Sequence, residues 1–459
     1  MKTHGSLLET LAQFRDQRLF YVFLLGICSG LPWVLHGSVL SLWLVENGVN
    51  RSMIGLIGVV TAVYAFNWMW APFVDRIRLP LLYGRFGQRK SWILLCQCCI
   101  ALAVLGMAQG DPGSSLGYIG LMAALIAVFS ATLDISVDAY RITVFKAEEI
   151  DVKMPLAAAM ATIGWWAGYG FVGGAFAVAL GGETVGLAWP TVYTVLFFAY
   201  VLLTGVISLI AIPDQDLSAL QVSDQVSNGY SWSGFASWSR KTLVEPFKEF
   251  FDRCGPQLAI TILLLLVLFR LGEAMLGRMS VVFYREIGFT EDQISFYSKF
   301  FGGLVTAVFA VLAAVLNSRF GVIRGLFLCG IAMASANLLY ALIAVVGPNT
   351  NLWLITLLVD NFFQAFATVA FISFISYFTS RTYTGTQYAL MASISNFGRT
   401  TLAAGSGFVV NFFGGNWAYF FILTALAVIP GLVLLIWVGR LLGIYEAKRE
   451  GMNQSVSQA

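Results

Sequence analysis

The chain has 459 residues, 58% of them hydrophobic and only 11% charged, against roughly 25% charged in soluble domains. That balance excludes an ordinary soluble enzyme, and a formal charge of +3 is too small to argue for a nucleic-acid partner. Repeated apolar runs long enough to cross about 30 Å of hydrocarbon imply an all-α polytopic membrane protein embedded in a lipid bilayer.

The amino terminus holds Lys2, Arg15 and Arg18 but no separate cleavable apolar segment, so the first apolar run reads as a retained span. The expected spans of the first half are 19–45, 52–74, 91–109, 116–140, 155–180 and 189–212. Those of the second half are 257–279, 293–316, 323–345, 351–378, 384–410 and 417–438. Between the halves, the interval from Pro213 is rich in Ser, Asn and Gln and then in charge, and cannot lie in hydrocarbon without exposing polar groups. The chain therefore divides into an N-terminal bundle over 1–212, an interdomain linker over 213–256 and a C-terminal bundle over 257–459. Basic residues gather at the amino terminus, around Arg76 to Lys90, around Arg141 to Lys153, in the linker and around Arg440 to Arg449. The alternate connections are nearly bare, so both termini and the linker face the cytoplasm and twelve spans fit better than eleven or thirteen. Two six-helix bundles around a central route follow. Cys28, Cys96, Cys98, Cys99, Cys254 and Cys329 read as small buried apolar residues, with neither disulfide nor metal spacing.

Past the second span come Asp75, Arg76, Gly87, Gln88, Arg89 and Lys90; past the eighth come Asn317, Ser318, Arg319, Gly321 and Arg324. The two tight basic turns are either cytoplasmic anchors or a conformational gate. In the gate, Asp75 is the carboxylate partner, Arg89 or Lys90 the basic one, and Arg76 stands beside them. Within the fourth span Asp134 and Asp138 are four apart on one helix face, with Arg141 three beyond. A carboxylate in hydrocarbon must be paired, protonated or wet, so this block is a proton-coupling or gating site, a structural pair or a ligand contact.

In the seventh span Arg270 and Glu273 share a face. Glu273 is a second candidate for protonation and Arg270 for an anionic substrate group, with a static intrahelical pair as the alternative. Lys299 can snorkel to a surface. In the first span Gly30-Leu31-Pro32 marks a break before His36, which contacts a polar cavity, carries a proton or packs as a satisfied histidine. Tyr64, Asn67 and Trp68 can face one side of the second span and stack against a sugar. Asn361 and Gln364 in the tenth span and Arg399 in the eleventh can line a hydrophilic route, and Asp360 can pair with Arg270 or Arg399. Gly168, Gly170, Gly173, Gly174, Gly398, Gly405 and Gly407 read as close-packing surfaces.

No ATP-binding loop, zinc spacing or nucleophile elbow is present in the sequence, which leaves a secondary transporter ahead of a membrane enzyme or a receptor. No cofactor, metal, catalytic residue or obligate protein partner is implied.

Several short stretches together resemble the AmpG family of muropeptide permeases in the major facilitator superfamily. They are Ser29-Gly30-Leu31-Pro32, Trp70-Ala71-Pro72 with Asp75-Arg76, Ser130-Ala131-Thr132-Leu133-Asp134-Ile135 with Asp138-Ala139-Tyr140-Arg141, and Thr386-Gln387-Tyr388-Ala389-Leu390. They spread over nearly the whole chain. The resemblance implies a major facilitator-like fold and proton-driven import of GlcNAc-1,6-anhydro-MurNAc and its peptides across a Gram-negative inner membrane. It also implies peptidoglycan recycling and an influence on β-lactamase induction. Asp134, Asp138, Tyr140, Arg141 and Gln387 become candidates for ion or ligand roles on this ground. The turn departs from the common facilitator pattern, because Arg78 through Phe86 separates Asp75-Arg76 from Gly87-Gln88-Arg89-Lys90. Related facilitators move sugars or acyl-coenzyme A, so another polar solute is the alternative.

Overall fold

The computed structural model describes residues 13–49, 53, 57, 59–181, 185–210, 244–289, 293 and 302–457. Lys2, Lys299 and most of the polar linker lie outside them. Every regular element among the described residues is helical, as hydrocarbon demands of a chain whose backbone groups must be satisfied within each segment. Nine helices among the described residues are long and apolar enough to cross a membrane, and Leu304–Phe320 is a shorter apolar one.

The expected twelve spans are thus not all present as regular apolar helices. The second breaks into Val59–Ala62, Val63–Phe66, Asn67–Met69 and Ala71–Arg76, with Pro72 opening the last piece. Proline fits a first helical turn but not a helix interior. The eleventh is a helix over Thr384–Ala404 rich in Thr, Ser, Asn and Gln, followed by Ser406–Phe412. The third helix, Tyr83–Ala108, starts well before the expected residue 91 and bends at Gly87, whose φ of 72° suits glycine.

Contacts group the chain into two compact units: Met1–Val244 with Thr379–Leu390, and Glu245–Phe378 with Met391–Ala459. In the first unit we label α1 (Gln17–Leu35), α2 (Ser38–Glu46), α3 (Ala71–Arg76), α4 (Tyr83–Ala108), α5 (Leu116–Thr143), α6 (Ile150–Trp166) and α7 (Trp189–Leu209). Helix α1 continues through Pro32 to Leu35, so the chain turns at His36-Gly37 rather than at the proline. It packs along α6 and the helical segment Ala167–Phe176 that follows it through glycines: a methyl added at Gly26 would lie 2.7 Å from the Ala161 carbonyl, and one at Gly168 2.5 Å from that of Ile27. With hydrocarbon on every other side, close backbone approach is the main source of packing energy between such helices. The expected close-packing role holds for Gly168, Gly173 and Gly398 but not for Gly405 or Gly407, which no neighbour crowds.

In the second unit the helices are α8 (Glu245–Cys254), α9 (Pro256–Leu268), α10 (Leu271–Ile287), α11 (Gly302–Phe320), α12 (Val322–Val346) and α13 (Thr350–Phe378). Then come α14 (Thr384–Ala404), whose first turns group with the first unit, α15 (Ser406–Phe412), α16 (Trp417–Leu426) and α17 (Ile429–Ser457). A buried aromatic core of Phe283, Tyr284, Tyr340, Trp353 and Phe421 joins α10, α12, α13 and α16. Cys98 is exposed and Cys99 half-buried, so these two are not the packing residues expected of them.

Candidate functional site

In the first unit, α5 presents Asp134, Asp138 and Arg141 on one face. Arg141 Nη1 lies 2.7 Å from Asp138 Oδ1, and its guanidinium sits 5.0 Å from the centre of the Tyr388 ring. Asp134 is not part of that pair. It is half-buried, the Ser29 hydroxyl of α1 approaches it, and its Oδ1 is enclosed with no hydrogen-bond partner among the described residues. Of the three outcomes open for this block, structural pairing describes Asp138, while Asp134 keeps an unmatched oxygen.

Asp75 is buried and fully matched. It accepts from Arg89 Nη1 at 2.7 Å, from the Gly385 and Thr386 amides at 3.2 and 2.7 Å, and from the Thr386 hydroxyl at 2.7 Å. A carboxylate at a helix start meets unsatisfied N–H groups and the positive end of the helix dipole. A methyl at Gly385 would come within 2.7 Å of Asp75 Oδ1, so glycine is required there. Three of the stretches that carry the family resemblance therefore meet in one place, with Ala71, Val74, Ile135 and Ala389 in a single apolar cluster.

Lys90 is not a partner of Asp75, because its ammonium donates to the Ser208 and Ile210 carbonyls at the end of α7, at 2.7 and 2.6 Å. Such carbonyls lack intrahelical donors, and a nearby lysine is the common solution. Arg76 is half-buried at the end of α3. Arg381 donates to the Thr143 and Phe145 carbonyls at 3.1 and 2.7 Å.

Several residues expected to line a substrate cavity are packed instead. His36 is 2% exposed; its Nε2 is 3.2 Å from the Tyr64 hydroxyl, and Tyr64 stacks on Trp33 at 4.3 Å. Burial favours packing over the cavity contact and takes Tyr64 away from any sugar-stacking face, but the histidine is not fully satisfied, since its Nδ1 has no partner among the described residues. Asn67 reaches the Ala131 carbonyl at 3.5 Å, and Trp68 packs on the Ala71–Ile135 cluster. Tyr140 is buried, and Gln387, also buried, accepts from the Ser380 amide at 2.7 Å to close a turn. The broken second span explains part of the miss, since its residues do not keep a single helical phase.

The second unit brings Arg270, Glu273, Gln364 and Arg399 together. Arg270, at the bend between α9 and α10, donates to Glu273 through Nε at 2.7 Å and Nη2 at 2.6 Å. Gln364 donates to Glu273 at 3.3 Å, and Arg399 Nη2 stands 4.0 Å away with its side chain 43% exposed. Asn361 lies apart from these groups in bonding, accepting from Thr306 at 2.8 Å.

Asp360 pairs with neither arginine. The Tyr284 hydroxyl donates to that of Tyr340 at 3.2 Å, and Tyr340 donates to Asp360 at 3.0 Å. Sequence reasoning missed this relay and the Gly385-Thr386 cap on Asp75, and no local spacing signals either.

Outside the spans, Asp16 caps α1 and joins Arg18, Glu149 and Lys153. Arg18 donates to Glu149 at 2.8 and 3.0 Å, and that guanidinium pulls the Glu149 carboxyl from 4.5 to about 2. Arg18 likewise holds Asp16 well below the usual carboxylate range. A depressed folded value adds stability that is full above about 4.5 and lost as pH falls through about 2. Melting of the detergent-solubilised protein is expected to show that acid limb, and Glu149→Gln to flatten it; an unchanged limb would remove the clamp from the account.

No group of His, Cys, Asp and Glu among the described residues is placed to hold a metal ion. No family model matches the chain. A protein named transporter AmpG 4 in Rickettsia conorii is 33% identical over 425 residues, covering 93% of this chain and 97% of that one. The anhydromuropeptide permease of Escherichia coli K12 is 28% identical over 424 residues, 92% of this chain and 80% of that protein. Among solved structures, the proton:xylose symporter XylE bound to 6-bromo-6-deoxy-D-glucose superposes with a TM-score of 0.63 at 13% identity, covering 92% of this chain and 95% of that one. The transporter FucP in its outward conformation gives 0.61 at 13%, covering 92% and 99%. At such identities the likeness is one of fold, that of the major facilitator superfamily.

Proposed function

We propose a function from one premise: the chain belongs to the AmpG family of transporters and has the major facilitator fold. It is a multi-pass protein of a bacterial inner membrane and a secondary-active transporter, not an enzyme. On this reading it carries GlcNAc-1,6-anhydro-MurNAc, with or without stem peptide, from periplasm to cytoplasm with protons, as the name of the Escherichia coli relative suggests. Twelve spans in two six-helix bundles over 1–212 and 257–459, with both termini cytoplasmic, belong to the same proposal and rest on the basic connections.

The observation that carries the substrate class is the second unit's charge cluster. Arg270 and Arg399 face one carboxylate, Glu273, so these three groups hold one more positive than negative charge. An excess charge among membrane helices is costly until a counter-ion completes it. The stem peptide's carboxylate supplies that ion, and the half-exposed Arg399 is the arginine free to meet it. Glu273 is then a positioning group for Arg270 rather than a proton carrier. Asp360 is the titrating neighbour, since taking up a proton along the Tyr284–Tyr340 relay leaves the positive excess undiminished for an anion.

In the first unit Asp134 carries a second coupling proton, because its enclosed oxygen has no hydrogen-bond partner and no ion pair among the described residues. The Asp75–Thr386 cap, with Arg89, is made in one state and released in another, the bistable contact that alternating access needs.

Uptake into proteoliposomes of labelled GlcNAc-anhydro-MurNAc tripeptide, with mass analysis of the internal solute, tests the reading. We expect accumulation of unchanged substrate that collapses with the proton gradient and is not competed by xylose or acyl-coenzyme A. Binding without entry would make the chain a receptor, and a chemically altered internal product would make it an enzyme.

A further inference from the structure

Within the second unit, α12 and α17 run side by side and leave a lateral groove of about 460 Å³. Its walls are Ile323, Phe327 and Leu328 on α12 with Leu435 and Ile436 on α17, and Arg324 and Arg440 also line it. Leu328 is 42% exposed and Ile436 46%, so the walls open to hydrocarbon rather than to the interior of the unit. Arg324 is in the first turn of α12, and Trp437 beside the groove is 47% exposed, a residue type that favours the headgroup level.

Arg18, Arg89, Arg141, Arg253 and Arg270 all hold carboxylates. Arg324 and Arg440 are exposed and have no carboxylate partner among the described residues. Two arginines on neighbouring helices, lining the same apolar groove, match a phosphodiester joined to acyl chains. A peptide or free metabolite would leave the apolar walls facing lipid unused.

We propose that this groove is a binding site for an anionic phospholipid, with the phosphate between Arg324 and Arg440 and the acyl chains along Leu328 and Ile436. On the orientation given by the basic connections, the lipid belongs to the cytoplasmic leaflet. It bridges α12 to α17, a site separate from the charge cluster of Arg270, Glu273 and Arg399.

Native mass spectrometry of the full chain, titrated with dioleoyl-phosphatidylglycerol or dioleoyl-phosphatidylcholine, tests the site. Retention of the first phosphatidylglycerol is expected at about tenfold lower lipid concentration than phosphatidylcholine, as two basic contacts imply. In R324Q/R440Q the preference should shrink to within about twofold, and R324K/R440K should keep part of it. The single variants R324Q and R440Q are each expected to lose part of it, so a double variant that fails to fold leaves the test standing. Ile436→Trp fills the groove with both charges intact and is expected to lower phosphatidylglycerol retention. Equal retention of the two lipids by the parent, an unaltered preference in the Gln variants, or full retention by Ile436→Trp would overturn the proposal. Displacement of the lipid by excess inorganic phosphate would overturn it too, since it would mark a general anion site.

Discussion

Asp134→Asn is expected to lose accumulation of the labelled muropeptide against its gradient by at least about tenfold, while equilibrium exchange through the same proteoliposomes stays within about twofold. The amide keeps the shape of a protonated carboxyl but cannot release a proton, so a step that needs release is blocked and a step that needs the neutral form is not. Coupling free energies of about 1–3 kcal/mol correspond to ratios of roughly 5–150-fold, which sets the scale. Asp138→Asn should behave differently. Asp138 holds Arg141 at 2.7 Å, so its loss leaves a guanidinium against the Tyr388 ring and lowers stability and exchange together. Concentrative uptake by Asp134→Asn equal to the parent would remove Asp134 from the coupling mechanism.

Glu273→Ala carries the largest expected cost in stability. It strips Arg270 of both charge-assisted hydrogen bonds, at 2.7 and 2.6 Å, and leaves a largely buried guanidinium with a 3.4 Å contact to Thr368 and the Phe371 ring 5.8 Å away. Breaking one side of a buried ion pair costs about 3–5 kcal/mol, whereas replacing both sides with apolar groups is often neutral. Arg270→Met with Glu273→Leu should therefore melt near the parent, well above Glu273→Ala. The double variant keeps Arg399 and the same one-charge excess, so it should bind peptide-bearing muropeptide within a few-fold of the parent, whereas Arg399→Gln should bind it many-fold more weakly. Parent-like affinity in a well-folded Arg399→Gln would take the anion-binding role away from Arg399.

Much of this was legible before any contact was known, and the cases share a cause. Asp138 with Arg141 and Arg270 with Glu273 are three apart, and a helix brings such residues together whatever surrounds it. Asp75 was expected to meet Arg89, fourteen residues on, and does so at 2.7 Å. Beyond such reach, expectations fared worse. Lys90 satisfies carbonyls at the end of α7 instead of Asp75, and His36 and Tyr64 bury each other instead of lining a cavity. Asp360, which could have paired with Arg270 or Arg399, is held by Tyr340 from a neighbouring helix.

By itself the amino-acid sequence determined the class of molecule, the rough position of most spans, the pairing of charges a turn apart and, through its scattered short stretches, the family. Those properties depend on composition and helical periodicity, which hydrocarbon enforces segment by segment. Only the tertiary structure decided that Thr386, 311 residues beyond Asp75, completes that carboxylate's shell, and that Asp134 keeps an enclosed oxygen with no partner among the described residues. It also decided that two arginines far apart in the chain share one groove. Partners that distant are chosen by how helices pack, and no local pattern of residues encodes the choice.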